Sequence, residues 1–102
     1  KKAEKYGITM ENTNIVRPLF VPAESELIKK LSNVYEAQTG EKTSLIGIGG
    51  GTYAKSFPDM VAFGPSFPGE DHNIHQPNEH ISVDSLIRGI KIFASAIFEL
   101  AN

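Results

Sequence analysis

The sequence has no cysteine and no tryptophan among its 102 residues. Without cysteine there are no disulfides, no thiolate zinc sites and no thiol nucleophiles. That fits a reducing compartment, and the expected location is the cytoplasm. No apolar run approaches the roughly 20 residues that a bilayer crossing needs, and no signal-peptide core is visible. An excess of charge of one sign is also missing. Ten Lys and Arg against twelve Asp and Glu leave a formal net charge of -2, mixed along the chain. There is thus no basic footprint for nucleic acid and no polybasic patch for a membrane, and neither is expected as a partner. What is there is ordinary for a globular chain: 40% hydrophobic and 22% charged residues, enough for one domain and too few for two. The first residue is Lys1 and methionine stands only at Met10 and Met60, as expected of a chain that has been trimmed or is a piece of a longer polypeptide.

Residues 1 to 16 are polar, with Gly7 and an Asn-Thr-Asn cluster at 12 to 14, and read as a loop or frayed edge. Pro18 and Pro22 hold the next stretch extended, because a proline biases the residue before it away from the helical region. From Glu24 the pattern changes. Leu27, Ile28, Leu31, Val34 and Tyr35 form one helical stripe, Glu24 and Glu26 suit the helix start, and Gly40 supplies a stop. This predicts a helix over about 24–38. Thr43 to Ile48 and Met60 to Phe63 read as short buried strands. Between them lie Gly49, Gly50, Gly51 and Thr52, then a possible helical turn from Tyr53 to Phe57. Residues 64–80 hold two glycines, three prolines and all three histidines, a long loop of the kind that is often functional. A terminal helix over 83–101 follows, with Ser82 as N-cap, Asp84 at its start and Ile81 with Leu86 as a hydrophobic staple. Its expected core face is Leu86, Ile87, Ile90, Phe93, Ala94, Ile97, Phe98 and Ala101. The resulting expectation is an α/β fold, a few strands packed with two main helices.

Two constellations could carry chemistry. From Glu70 to His80 the chain places His72, His75 and His80 beside Glu70, Asp71 and Glu79. Imidazole is a common zinc ligand, and carboxylates complete or orient such sites. A solvated polar loop explains the same composition equally well. A closed site made by the three histidines alone is disfavoured, since their spacings do not match a helical ligand pair. The second constellation is Gly49 to Lys55. Consecutive glycines allow backbone amides to approach an anion, and Thr52 adds a hydroxyl. The order matches neither a P-loop nor a dinucleotide fingerprint, so a carboxylate suits it better than a nucleotide. A tight turn with no ligand is the simpler account of the glycines taken alone. If the two strands were parallel, both loops would open at the same edge.

Together, GGGTYAK, MVAFGPSFPGE and HQPNEHISVDSL, running into a terminal helix, resemble the C-terminal part of bacterial dinuclear-zinc dipeptidases of the aminoacylase and carnosinase-like metallopeptidase family. The resemblance runs from about Pro18 to the end. It implies that residues 1–18 are the end of an inserted lid domain or a linker, and that 19–102 are the C-terminal segment of the catalytic domain. It further implies His75 as a ligand to one of two zinc ions, and Gly50, Gly51 and Thr52 as contacts to the C-terminal side of a dipeptide substrate. Asn78 and Glu79 would support the site from behind; His72 and His80 match no catalytic position. In such enzymes the metals activate a water while a glutamate acts as base, and that base and the other ligands come from earlier in the chain. These residues alone, without the rest of the catalytic domain, are therefore expected to be inactive, with exposed edges prone to self-association. The alternatives are a non-catalytic binding or dimerisation module and a stand-alone metal-binding histidine loop.

Overall fold

The computed structural model describes residues 4–9 and 17–102. The loop expected over 1–16 is described only in part: Glu4–Tyr6 form one 3-10 turn, and the Asn-Thr-Asn cluster lies outside the described residues.

Helix α1 spans Glu26–Thr39. Ser25 caps it, its hydroxyl accepting the Ile28 amide at 3.3 Å, so the capping residue stands one place after the Glu24 start inferred from periodicity. Gly40 ends it in the left-handed conformation (φ 72), and its amide reaches the Glu36 carbonyl. That conformation is one a Cβ disfavours, which is why glycine is the usual residue there. Ile28, Leu31 and Val34 are buried, on the stripe the spacing indicates.

Helix α2 spans Val83–Ala101, with Ser82 as its cap and Asp84 in its first turn. Its buried side is not the one expected. Ser85, Gly89, Ile92 and Ala96 face inward, whereas Ile97 and Phe98 are 69% and 71% exposed. The helix is apolar over much of its circumference, and the row of small residues lets α1 approach more closely than the bulky row would. Lys30 Nζ donates to the Glu99 carbonyl and Gln38 Nε2 to Ser95 Oγ, each at 3.1 Å, so the helices meet with opposite directions.

The α/β expectation is overturned. Among the described residues there are two α-helices, two 3-10 turns and no strand. Residues 43–48 and 60–63 take no regular secondary structure: a strand exists through hydrogen bonds to a neighbour, and no ladder forms among the described residues. Ile46 is 81% exposed instead of buried. The helical turn after the glycines is present, a 3-10 turn at Tyr53–Ser56 capped by Thr52.

The core unites Leu31 and Val34 of α1, Ile92 and Ala96 of α2, and Phe67 from the long loop, with Leu27, Tyr35, Val61 and Phe63 packed against it. The Arg88 guanidinium lies 4.0 Å from the Phe67 ring centroid, a cation-π contact that closes the outer side of that ring. Gly64 (φ 71) is forced by packing as well as by conformation: a Cβ there would stand 3.0 Å from the Phe93 ring. The loop is therefore pinned into the core three residues after it begins. No described helix is long and apolar enough to cross a membrane.

Candidate functional site: the histidine loop and its clamp

The loop after Phe67 is organised by one carboxylate. Glu70 Oε2 accepts the Phe67 amide at 3.2 Å and meets His72 Nε2 at 3.0 Å, while Oε1 accepts the Ser85 hydroxyl. Ser82 Oγ caps α2 by accepting the Ser85 amide at 3.1 Å and donates its own hydrogen to Ser85 Oγ at 2.8 Å. An ionised carboxylate only accepts, so His72 Nε2–H is the donor in this contact. The Ser85 hydroxyl does most to hold the Glu70 carboxyl below the ordinary carboxylate range. Desolvation opposes it, and the Phe67 amide and the charge and hydrogen bond of His72 add to the lowering.

Beyond the clamp the chain makes a compact excursion. The His80 amide donates to the His72 carbonyl at 3.1 Å and closes the loop at its base; the Gln76 amide donates to the Asn73 carbonyl at 2.8 Å and makes a turn at its tip. His75 is the third residue of that turn, with φ 61, the sign a type II turn requires there. Asn73 and Asn78 are also left-handed, at φ 50 and 63. Asparagine tolerates that region through local hydrogen bonding, and histidine is enriched in it. The His75 ring is exposed, and among the described residues no hydrogen bond engages it.

The site residues inferred from sequence thus fall in two places. His75, Asn78 and Glu79 share the exposed loop. Gly50, Gly51 and Thr52 lie on another exposed stretch. Thr52 accepts the Ala54 amide at 3.2 Å, which leaves its own hydroxyl hydrogen to donate. A Cβ at Gly50 would meet nothing within 4 Å, so a ligand could approach the backbone there. One on Gly51 would meet only the Lys55 side chain, its Nζ at 3.8 Å. That ammonium beside the glycines is a feature to which periodicity and motif gave no role. No hydrogen bond between described residues joins this stretch to the histidine loop.

A three-histidine site does not form. The His72 and His80 rings stand 6.4 Å apart edge to face, His72 is buried against Glu70, and His80 Nδ1 is used on the Asn78 carbonyl at 2.8 Å. No group of three or more metal-capable side chains exists among the described residues. A zinc ion needs about three protein donors, so these residues do not fit a whole metal site. The exposed His75 imidazole fits the part of a single donor.

Ser85 was not singled out by sequence spacing, and Glu70 entered only as one of three acids beside the histidines, without its link to the helix. The hydrogen bond joins residues 15 positions apart, across a turn of irregular backbone. The only available signal was an acid shortly after Pro-Gly, followed by two serines at a helix start.

The model of peptidase family M20/M25/M40 matches residues 6–99. The chain belongs to that family. Among similar proteins, "Putative dipeptidase YtjP" of Bacillus subtilis (strain 168) is 51% identical over 86 residues, covering 84% of this chain and 19% of that protein. "Putative dipeptidase SH1171" of Staphylococcus haemolyticus (strain JCSC1435) is 35% identical over 100 residues, 98% of this chain and 21% of that protein. A protein of Staphylococcus epidermidis with the same dipeptidase designation is 37% identical over 94 residues, 92% of this chain and 20% of that protein. The chain spans about a fifth of the length of these relatives. No solved structure matches it.

Proposed function

We propose that these residues are one section of a metallo-dipeptidase, in which His75 donates an imidazole to a zinc site of two ions completed by residues outside this chain. The observation that carries this reading is the presentation of His75. A loop closed at its base holds an exposed imidazole, without a hydrogen bond among the described residues, at the tip of a turn in a backbone conformation that costs free energy. Such strain is expected where a side chain must be aimed. The metal would lower the pKa of a bound water and polarise the scissile carbonyl. The chain's own groups do the rest of what is assigned here. The amides of Gly50 and Gly51, the free hydroxyl hydrogen of Thr52 and the Lys55 ammonium suit the carboxylate at the C-terminal end of a dipeptide. Asn78 and Glu79 buttress the loop that carries His75. In this assignment residues 1–18 lead from a lid domain or linker into the catalytic domain.

The test uses the complete gene product in which these residues occur. His75→Ala should abolish hydrolysis of dipeptides and weaken zinc binding at least a hundredfold, while His80→Ala should leave both within a few-fold. Equal, mild effects of the two substitutions would sink the assignment.

A second reading draws on the bulky exposed row of α2, which suits an association module with no catalytic part. Retention of full dipeptidase activity by His75→Ala, with loss of assembly on Ile97→Asp, would favour that reading instead.

A further inference from the structure

Glu70 stands five residues before His75 and shares no hydrogen bond with any group assigned above to metal or substrate. Its carboxylate is nonetheless where the first stem of the histidine loop, the Phe67 turn and the first turn of α2 meet. From there the bonding continues in both directions. Ser82 holds Ser85 on the helix side, and the His72 carbonyl holds the His80 amide on the loop side. Ser85 and His72 are 3% and 9% exposed, and no buried side-chain polar atom among the described residues lacks a partner. A network this complete fixes one arrangement, whereas a half-satisfied one would not.

We propose that Glu70 is a positioning residue, clamping the base of the loop to α2 so that the turn at 73–76 presents His75 in a single orientation. The inference rests on His75 being a zinc donor. The physical link is population: apparent affinity falls by the fraction of molecules whose donor is correctly placed. A loop that keeps its intrinsic affinity but holds the competent arrangement a tenth of the time binds about tenfold more weakly.

The experiment measures three quantities on the complete gene product. These are zinc affinity by competition with a chromophoric chelator, the visible spectrum of the cobalt(II)-saturated protein, and hydrogen exchange of the His80 amide without metal. Glu70→Ala should weaken zinc about tenfold and speed His80 exchange, yet leave the shape of the cobalt spectrum unchanged, because no ligand is lost. Glu70→Gln should recover most of both effects, since an amide can accept the Phe67 N–H through its oxygen and donate to Ser85 Oγ. Ser85→Ala should fall between them, and it carries the comparison together with Glu70→Gln should Glu70→Ala not fold.

Faster His80 exchange with unaltered zinc affinity in Glu70→Ala, while His75→Ala weakens zinc, overturns the positioning role and leaves the zinc assignment standing. An altered cobalt spectrum in Glu70→Ala makes Glu70 a ligand, which also overturns it. Unchanged zinc affinity and spectrum in His75→Ala removes the zinc assignment, and the positioning role with it.

Discussion

His75 occupies a left-handed backbone at φ 61, where the Cβ of an L-residue approaches the following carbonyl at a cost of roughly 1 kcal/mol. Glycine escapes that cost but loses more backbone freedom on folding, so the two effects oppose each other. His75→Gly should therefore leave urea stability unchanged or raise it by up to about 1 kcal/mol, even as it removes the imidazole. A loss of several kcal/mol would mean that the ring contributes to packing, contrary to its exposure. The Glu70 carboxylate makes a separate prediction in pH. Its folded pKa lies below the ordinary value, so the folded state favours the ionised form. The clamp's contribution to stability is then complete above the ordinary carboxylate range and is lost as pH falls through the lowered folded pKa. Hydrogen exchange of the His80 amide, corrected for its intrinsic pH dependence, should lose protection over that acidic window in the native protein. Glu70→Gln should flatten the change.

The helices show how much an element reveals before its partners are known. Both were legible: α1 from its apolar spacing and Gly40, α2 from Ser82 and a long apolar run, because capping and period are properties of the segment itself. The inward face of α2 was not legible. Ile90 and Ile92 are equally hydrophobic, and only the approach of α1 over Gly89 and Ala96 decides between them. Residues 43–48 and 60–63 fail for a related reason, since β-propensity describes fitness for a sheet and cannot supply the neighbouring strand. At the candidate site, the resemblance of its loop singles out His75 as the proposed donor, whereas the Glu70 clamp depends on a tertiary contact. The choice of face has a measurable consequence. Ile92→Ala, at a buried position, should cost about 2–4 kcal/mol in denaturant unfolding. Ile90→Ala, at an exposed one, should change the stability of this chain by less than about 0.5 kcal/mol. Equal costs would mean that α2 is rotated from the orientation described.

At the scale of the molecule, the chain is more open than its length requires. Its radius of gyration is 18.4 Å, against about 13 Å for a compact domain of 100 residues. Ile46, Ile97 and Phe98 leave most of their surface in water, and apolar area of that kind is usually covered by something. In the proposed reading the cover is the remainder of the same peptidase, and the cost of truncating one of these side chains depends on context. Ile97→Ala should be nearly silent in the 102 residues alone, yet cost about 1–3 kcal/mol in the complete gene product, where burial would add the transfer and cavity terms that an exposed side chain lacks. The same reasoning applies to chemistry. One imidazole cannot supply the three or so donors that a catalytic zinc takes from protein, so the isolated chain with added zinc should show no dipeptide hydrolysis above buffer, while the complete gene product turns over. Robust turnover by the isolated chain would refute the division of the site between these residues and others. A silent Ile97→Ala in both contexts would leave the division of the site intact and show instead that this row of α2 faces solvent in the complete protein as well.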